Sequence, residues 1–276
     1  MRVAVLQMCS GIDPAANARA LVAGMEAAAA GGARMLFSPE MTGLLDRDRA
    51  RAAESIVGEE GDIVLAAARE AAARLGLWLE LGSLALRPGG NEPRYVNRGF
   101  LIDDGGAIRV RYDKLHLFDV DLPTGESWRE SSAYRPGESA VVADTPAGRL
   151  GLTICYDVRF PDLYRALSDA GAEILAVPAA FTVPTGRAHW HILLRARAIE
   201  AGCFVVAAAQ VGQHADGRET YGHSLVVDPW GEVLLDMGEG AGLGFAEIDL
   251  QRLRDVRARI PALRHRRAIP VVEHVA

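Results

Sequence analysis

The stretch GLTICYD, residues 151–157, joins an apolar strand to a cysteine and then to polar residues. This order predicts that Cys155 lies at the carboxyl end of a strand, where open α/β sheets bind their ligands. A cysteine in that position can be exposed and activated. A free cysteine is more often a small buried apolar residue, so the stretch by itself leaves both interpretations open.

Working outward from Cys155, two other reactive side chains follow predicted strands in the same way. Glu40 ends the run MLFSPE (35–40), and Lys114 follows IRVRYD (108–113). A glutamate enclosed at such a point has a raised pKa and becomes a usable base. Lys114 is the one lysine among 30 basic residues. Either the composition is biased toward arginine by chance, or this position requires a compact ammonium group.

A thiol, a carboxylate and an ammonium group together favour acyl transfer. The base takes the thiol proton, and the thiolate attacks a carbonyl carbon. The Lys114 ammonium and the Tyr156 backbone N–H can stabilise the negative oxygen that develops. The amine then leaves as ammonia, and water hydrolyses the thioester.

Strands and helices alternate at both ends of the chain, and hairpins lie between them, which predicts a layered α/β fold with mixed sheets. Strands are predicted at 3–8, 33–38, 77–85, 173–179 and 203–209, hairpin turns at 103–106, 146–148 and 228–231, and helices at 14–30, 61–74, 161–170, 189–201 and from 250 onward. Because no linker, repeat or low-complexity tract interrupts residues 1–276, we expect one domain.

The bulk properties narrow the class of protein. A net charge of -6 argues against a nucleic-acid-binding protein. No signal segment or membrane-length apolar run is present, so we expect a cytoplasmic protein with no membrane partner. Cys9, Cys155 and Cys203 match neither a disulfide framework nor a zinc site and fit a reducing compartment. His189 and His191 are a poor metal pair on a helix, and we expect neither metal nor cofactor.

Three motifs in order resemble the nitrilase superfamily of carbon–nitrogen hydrolases: FSPE (37–40), YDKLHLFD (112–119) and GLTICYDVRFP (151–161). The resemblance covers nearly the whole chain. It implies a Glu-Lys-Cys triad formed by Glu40, Lys114 and Cys155. It also implies a second glutamate that orients the lysine, assigned to Glu130, with Glu126 and Glu138 as alternatives.

The resemblance also implies the architecture and the assembly of the protein. The expected fold is a four-layer αββα sandwich with mixed β-sheets. Two copies are expected to pair through one helical face into a homodimer or a higher oligomer. The arginine-rich tail from about residue 250 would then be a solvated or subunit-facing helix.

Within the superfamily the chain is most similar to the Nit branch, through FTVPTGRAHW (181–190), LRARAIE (194–200) and YGHSLVVDPWG (221–231). The branch implies an amidase of deaminated glutathione, to which AAAQ (207–210) is more similar, or an ω-amidase acting on α-ketoglutaramate. An N-carbamoyl amino acid hydrolase and a non-catalytic dimeric scaffold are the remaining alternatives.

Both Nit-branch substrates carry a carboxylate, so a cation should line the pocket. Arg159 is the first candidate, followed by Arg187 and Arg195. The alternative for Arg159 is an ion pair with a neighbouring acid, Asp157 or Asp162. Further predicted substrate contacts are Tyr156, Phe181 and Thr182.

Overall fold

The computed structural model describes residues 1–121, 125 and 127–275. The helices are α1 Pro14–Ala30, α2 Arg49–Ser55, α3 Ile63–Leu75, α4 Pro161–Asp169, α5 Val183–Ala201 and α6 Leu250–Arg259. The strands are β1 Arg2–Gln7, β2 Met35–Phe37, β3 Trp78–Leu86, β4 Val96–Ile102, β5 Ile108–Asp113, β6 Asp119–Asp121, β7 Ser127–Arg129, β8 Val141–Thr145, β9 Gly148–Leu152, β10 Ile174–Ala176, β11 Phe204–Ala207, β12 Val211–Gln213, β13 Glu219–Tyr221, β14 Leu225–Val227, β15 Val233–Asp236 and β16 Gly242–Glu247.

Two large sheets carry the fold. The first has the order β16-β1-β2-β3-β4-β5, and the second has the order β15-β14-β11-β10-β9-β8. In each sheet three central strands are parallel, and antiparallel strands extend the sheet on both sides. The helices α1, α3, α4 and α5 are the crossovers that parallel strands require. Both sheets are therefore mixed, as the sequence predicts.

Successive residues of the central strands pack on opposite faces, which builds four layers. Val5 and Val206 belong to the core between the two sheets, whereas Leu6 packs toward α1 and α3. Val205 packs on the other outer face with Trp190 of α5. Three buried cores separated by two sheets define an αββα sandwich, and the predicted fold class is confirmed.

The helix ends follow their local sequence. Asp13 accepts a hydrogen bond from the Ala15 N–H (2.9 Å) and Pro14 opens α1, as predicted. Gly76 ends α3 with a left-handed φ of 60°. The start of α5 was misplaced, because the helix begins at Val183 rather than at residue 189. Pro184 is the second residue of α5, and a proline is tolerated in the first turn of a helix.

Some elements carry too little local signal to be predicted. The glycine-rich β16 is a strand because it pairs antiparallel with β1 along the edge of the first sheet. The short α2 and the small sheets β6–β7 and β12–β13 were likewise missed. Their ordering depends on partners far away in the chain and not on local propensity.

The arginine-rich C-terminal helix packs on its own chain. In α6, Leu253 and Val256 are buried. Arg257 donates to the backbone carbonyls of Gly202 (2.8 Å) and Ala172 (2.7 Å). Among the helices of the described residues, none is long and apolar enough to cross a bilayer.

Gly82 on β3 provides a test of how closely the chain packs beside Glu40. A Cβ there would overlap the carbonyl oxygens of Ser38 and Pro39 and the ring of Pro178. We expect Gly82→Ala to lower the free energy of unfolding by about 1–3 kcal/mol, because backbone atoms cannot move aside cheaply. Denaturant unfolding measures the change. Gly89→Ala, whose Cβ would enter open space, is the matched control, and equal stabilities would contradict the packing.

Candidate active site

Three strand ends meet at one cavity. Glu40 follows β2, Lys114 follows β5, and Cys155 follows β9 after two residues. All three line a cavity of about 880 Å³ and are buried. The sequence predicted each of the three at the end of a strand, and the packing of the two sheets brings them together.

Lys114 binds two carboxylates. Its Nζ donates to Glu40 Oε1 at 2.8 Å and to Glu130 Oε2 at 3.0 Å. Burial alone lowers the pKa of Lys114, but Glu130 and Glu40 outweigh burial and hold the pKa well above its usual value. The lysine is therefore a permanent cation that neutralises part of the charge of two neighbouring acids.

Glu40 is held at both of its carboxylate oxygens. Oε1 also accepts from Asn97 Nδ2 (2.9 Å), and Oε2 accepts from the Ala180 N–H (3.0 Å). The Glu40 carbonyl accepts from the buried amide of Gln210 (3.0 Å). These contacts fix the position of the carboxylate within the cavity.

Asn97 was not identified from the sequence. It lies in β4 and donates to both acids of the site, Glu40 and Glu130, the latter at 3.3 Å. A lone asparagine within an apolar strand such as VNRGFLI was the available signal.

Among the three candidate glutamates, Glu130 contacts the lysine. Its Oε2 also accepts from the Phe118 N–H at 2.6 Å, which ties the strand β7 region to the segment after Lys114. Glu138 is exposed, and Glu126 lies outside the described residues.

Cys155 has a strained backbone and a neutral thiol. Its φ is 49°, a left-handed value that is uncommon for a residue with a side chain, and its N–H donates to the Pro178 carbonyl at 2.8 Å. Burial raises the pKa of the Cys155 thiol well above its usual value, and the adjacent Glu40 carboxylate raises it further, whereas Lys114 lowers it. The thiol therefore needs a base before it can act as a nucleophile.

Asp157 holds the turn that carries Cys155. It is fully buried and accepts from Tyr112 Oη (2.7 Å), from the Ile154 N–H (2.9 Å) and from the His116 N–H (3.0 Å). Its oxygens are thus occupied by donors from the turn itself and from the segment around Lys114. Asp157 therefore does not form the ion pair with Arg159 that the sequence offered as an alternative.

Arg159 faces the cavity beside the cysteine. Its guanidinium lies over the rings of Tyr156 (5.9 Å) and Phe181 (5.3 Å), and Nη1 contacts His189 Nδ1 at 3.2 Å. In the described part of the chain it forms no ion pair with an acid. The remaining predicted contact, Thr182, also lines the cavity.

The other candidates lie elsewhere. Arg187 and Arg195 are not cavity-lining residues, and Arg195 donates to the Gly231 carbonyl at 2.8 Å. Cys9 is exposed and Cys203 is buried, both away from the cavity lining. Histidine 191 does not pair with His189. Together with His223 and Asp236 it forms a group whose ligand atoms lie within 4.8 Å of one another and could hold a metal ion.

The chain is similar to known proteins over nearly its whole length. The family model described as carbon-nitrogen hydrolase matches residues 2–258. A deaminated glutathione amidase of Yersinia enterocolitica is 40% identical over 97% of this chain and 93% of its own length. The human deaminated glutathione amidase is 44% identical over 96% of this chain and 82% of its own length.

Solved structures have the same fold. The Caenorhabditis elegans NitFhit protein superposes with a TM-score of 0.89 at 40% identity, over 96% of this chain and 65% of that longer chain. Saccharomyces cerevisiae Nit3, a member of branch 10 of the nitrilase superfamily, superposes with a TM-score of 0.85 at 26% identity, over 95% of this chain and 94% of that chain. A glutamate-to-glutamine mutant of the amidase of Nesterenkonia sp. AN1 superposes with a TM-score of 0.78 at 28% identity, over 95% of this chain and 98% of that chain. That structure shows acrylamide added to the active site cysteine of the Nesterenkonia enzyme.

The charge around Cys155 gives a prediction for its titration. In the wild-type protein the thiolate should form only at alkaline pH, because burial and Glu40 raise the pKa of the thiol. Glu40→Gln removes that carboxylate and retains Lys114, so the pKa should fall and alkylation by iodoacetamide should begin at lower pH. Rates measured across pH by mass spectrometry of the Cys155 peptide test this.

The exposed Glu138 gives the matched control for the titration. Glu138→Gln makes the same chemical change away from the thiol and should leave the alkylation profile of Cys155 where it is. An unchanged or more alkaline profile in Glu40→Gln would show that Glu40 does not control the thiol.

Proposed function

Because the chain belongs to the carbon–nitrogen hydrolase family, we propose that it is a cytoplasmic amidase that works through a Cys155 thioester. The chain is a hydrolase of carbon–nitrogen bonds other than peptide bonds, which removes the alternative of a non-catalytic scaffold. The observation that carries the proposed mechanism is the contact of Lys114 with Glu40 and Glu130 beside a buried thiol. The free thiols of Cys9 and Cys203 support a reducing compartment, which cell fractionation would test.

In the first step, Glu40 is the base. The Cys155 thiol is neutral at physiological pH, and Glu40 is the carboxylate whose proximity raises its pKa. As the substrate carbonyl arrives, Glu40 takes the thiol proton and sulfur forms a bond to the carbonyl carbon. The Glu40 contacts to Ala180 and Asn97 keep the carboxylate in place during the transfer.

Two donors are positioned for the oxygen of the tetrahedral intermediate. One is the Lys114 ammonium, which stays charged because two carboxylates surround it. The other is the Tyr156 N–H, which has no acceptor among the described residues and follows the left-handed Cys155. Donors held in place before the reaction stabilise the developing charge without a reorganisation cost.

The second half of the reaction reverses the proton transfers. The intermediate collapses to a thioester, and the leaving amine takes the proton from Glu40. Water then attacks the thioester, Glu40 accepts a proton from that water, and the sulfur departs as the thiol. A primary amide releases ammonia, whereas deaminated glutathione, whose γ-amide nitrogen belongs to cysteine, releases cysteinylglycine.

We propose deaminated glutathione as the substrate. The relatives at 40–44% identity over nearly the whole chain support it. The cavity of about 880 Å³ has room for a tripeptide-sized molecule, more than a five-carbon amide requires. Arg159, beside Cys155 and without an acidic partner in the described residues, supports recognition of the keto-acid carboxylate, and Tyr156, Phe181 and Thr182 line the same region.

Hydrolysis of two amides tests the substrate. Deaminated glutathione and α-ketoglutaramate both give 2-oxoglutarate, so one coupled assay compares them directly. We expect turnover of both, with the higher kcat/KM for deaminated glutathione because it fills more of the cavity. Turnover of α-ketoglutaramate alone would favour the ω-amidase. Turnover of neither would contradict the substrate class, while the thiol titration remains a separate test of the site.

The variant Lys114→Arg tests whether the proposed mechanism requires the ammonium group of a lysine. It keeps the charge but replaces a compact ammonium, held at 2.8 Å and 3.0 Å from two carboxylates, by a larger planar group. We expect kcat to fall by about 100-fold or more, because the oxyanion donor is displaced. Circular dichroism should show a folded protein. Unchanged kcat would contradict a specific role for lysine, and Cys155→Ala gives the background rate.

We propose further that two chains pair through the outer face of α5. Ile192 and Ile199 are two helical turns apart and are 70% and 53% exposed, and Trp230 beside them is 52% exposed.

Light scattering should give a molecular mass of twice the 29.5 kDa of one chain. The double variant Ile192→Glu with Ile199→Glu should reduce the mass to that of one chain. Ile63→Glu on α3, also at an exposed isoleucine, is the control. A single-chain mass for the wild type would contradict pairing.

A further inference from the structure

The cavity of the proposed amidase is lined by several arginines that differ in their partners. They are Arg47, Arg49, Arg94, Arg129, Arg159 and Arg218. Three of them pair with acids of the chain, namely Arg94 with Glu92, Arg129 with Asp121 and Arg218 with Asp216. The other three have no carboxylate partner in residues 1–121, 125 and 127–275.

Arg47, on the loop before α2, and Arg49, the first residue of α2, are together called the outer arginine pair. The neighbouring acids Asp46 and Asp48 bind other groups and form no ion pair with Arg47 or Arg49. Asp46 binds Arg51 through two hydrogen bonds of 2.6 Å and 2.8 Å. Asp48 accepts from backbone N–H groups of Ala50 and Arg51 as the cap of α2. Two cations therefore face the cavity without a carboxylate partner among the described residues.

The outer arginine pair is anchored by contacts that do not consume its charge. Arg49 Nη2 donates to the Arg129 carbonyl (2.8 Å) and to Ser132 Oγ (2.6 Å), both uncharged acceptors. Its Nε and Nη1 have no acceptor among the described residues. The backbone N–H of Arg47 donates to Asp216 at 2.8 Å, which fixes the loop. The Arg47 guanidinium has no hydrogen-bond acceptor among the described residues.

Most of the acidic residues that line the cavity are paired with cations of the chain. Glu40 and Glu130 lie at the deep end and share Lys114. Within the described chain, Glu219 of β13 is the cavity-lining acid without a cationic partner. Among the described residues, three unpaired arginines against one unpaired acid give the cavity outside the Lys114 cluster an excess of positive charge, which favours an anionic ligand.

We propose that the outer arginine pair is a second carboxylate subsite, distinct from the one at Arg159. This inference rests on the proposed function. Deaminated glutathione carries a keto-acid carboxylate near the reacting amide and a glycine carboxylate at its far end. Arg159, beside Cys155, takes the near carboxylate, and the outer pair takes the far one through charge-assisted hydrogen bonds. The subsite selects substituted amides that end in a carboxylate over small primary amides.

Three substrates separate this subsite from the rest of the machinery. They are deaminated glutathione, the same compound with its glycine carboxylate converted to an amide, and α-ketoglutaramate, which has no far group. The variant is Arg47→Gln with Arg49→Gln. Arg94→Gln is the matched control, because Arg94 also lines the cavity but has Glu92 as a partner. The measured quantity is kcat/KM for each substrate.

For the wild type we expect the free acid to be preferred to its amide by about 10-fold, a modest value for charged hydrogen bonds at an exposed site. The double variant should lose that preference, through a higher KM, and should hydrolyse α-ketoglutaramate as the wild type does. Arg94→Gln should keep the preference.

Two results would overturn the subsite. The first is a double variant that retains the preference for the free acid. The second is an equal loss on all three substrates, which would mean that the arginines only support the fold. A wild type that hydrolyses α-ketoglutaramate but not deaminated glutathione would instead overturn the proposed substrate.

Discussion

The ammonium group of Lys114 is the interaction on which the site depends. It lies 2.8 Å and 3.0 Å from two carboxylates, Glu40 and Glu130, in a place that excludes most water. Without the cation, two buried acids would face each other unpaired, a situation that typically costs about 3–5 kcal/mol. The lysine therefore holds the two acids in place, and in the proposed mechanism it supplies a fixed positive charge for the carbonyl oxygen.

The surroundings of the lysine are built from elements distant in the chain. Asn97 on β4 donates to both acids, and Phe118 donates to Glu130. Asp157 accepts hydrogen bonds from the Ile154 N–H, next to Cys155, and from Tyr112 and His116, which holds the turn in which Cys155 has its left-handed φ. The two sheets thus bring the Glu40–Lys114–Glu130 group and the strained Cys155, the proposed nucleophile, next to each other. Burial keeps the thiol protonated, so the thiolate forms only when the base acts.

Charge changes sign along the cavity. The deep end holds two acids around one lysine, whereas the open part carries arginines, some of which have no acidic partner in the described residues. An amide bond fits the deep end, where a base and an oxyanion donor are needed. Carboxylates fit the cationic part. The shape of the proposed substrate, with a reactive amide between two anionic groups, follows this distribution.

Much of the fold and of the site could be predicted from the sequence, because the signals are local. Alternating apolar runs indicated the central strands, Asp13 and Pro14 marked a helix start, and Glu40, Lys114 and Cys155 each follow a strand. Local patterns cannot report a partner, and this is why β16 was missed, since it is a strand through pairing with β1. The start of α5 was misplaced, since its first turns contain Pro184 and Gly186, which have low helix propensity.

Only the tertiary structure decided which of these side chains act together. Asn97 is 57 residues from Glu40, and Lys114 is 74 residues from it, so no sequence spacing brings them into contact. The same holds for the arginines. Arg187 and Arg195 carry the same charge as Arg49 and Arg159, but the packing of the loops directs only the latter two into the cavity. Sequence specified the chemical groups, and the face-to-face packing of two sheets determined their distances and their burial, which shift the pKa values of Lys114 and Cys155.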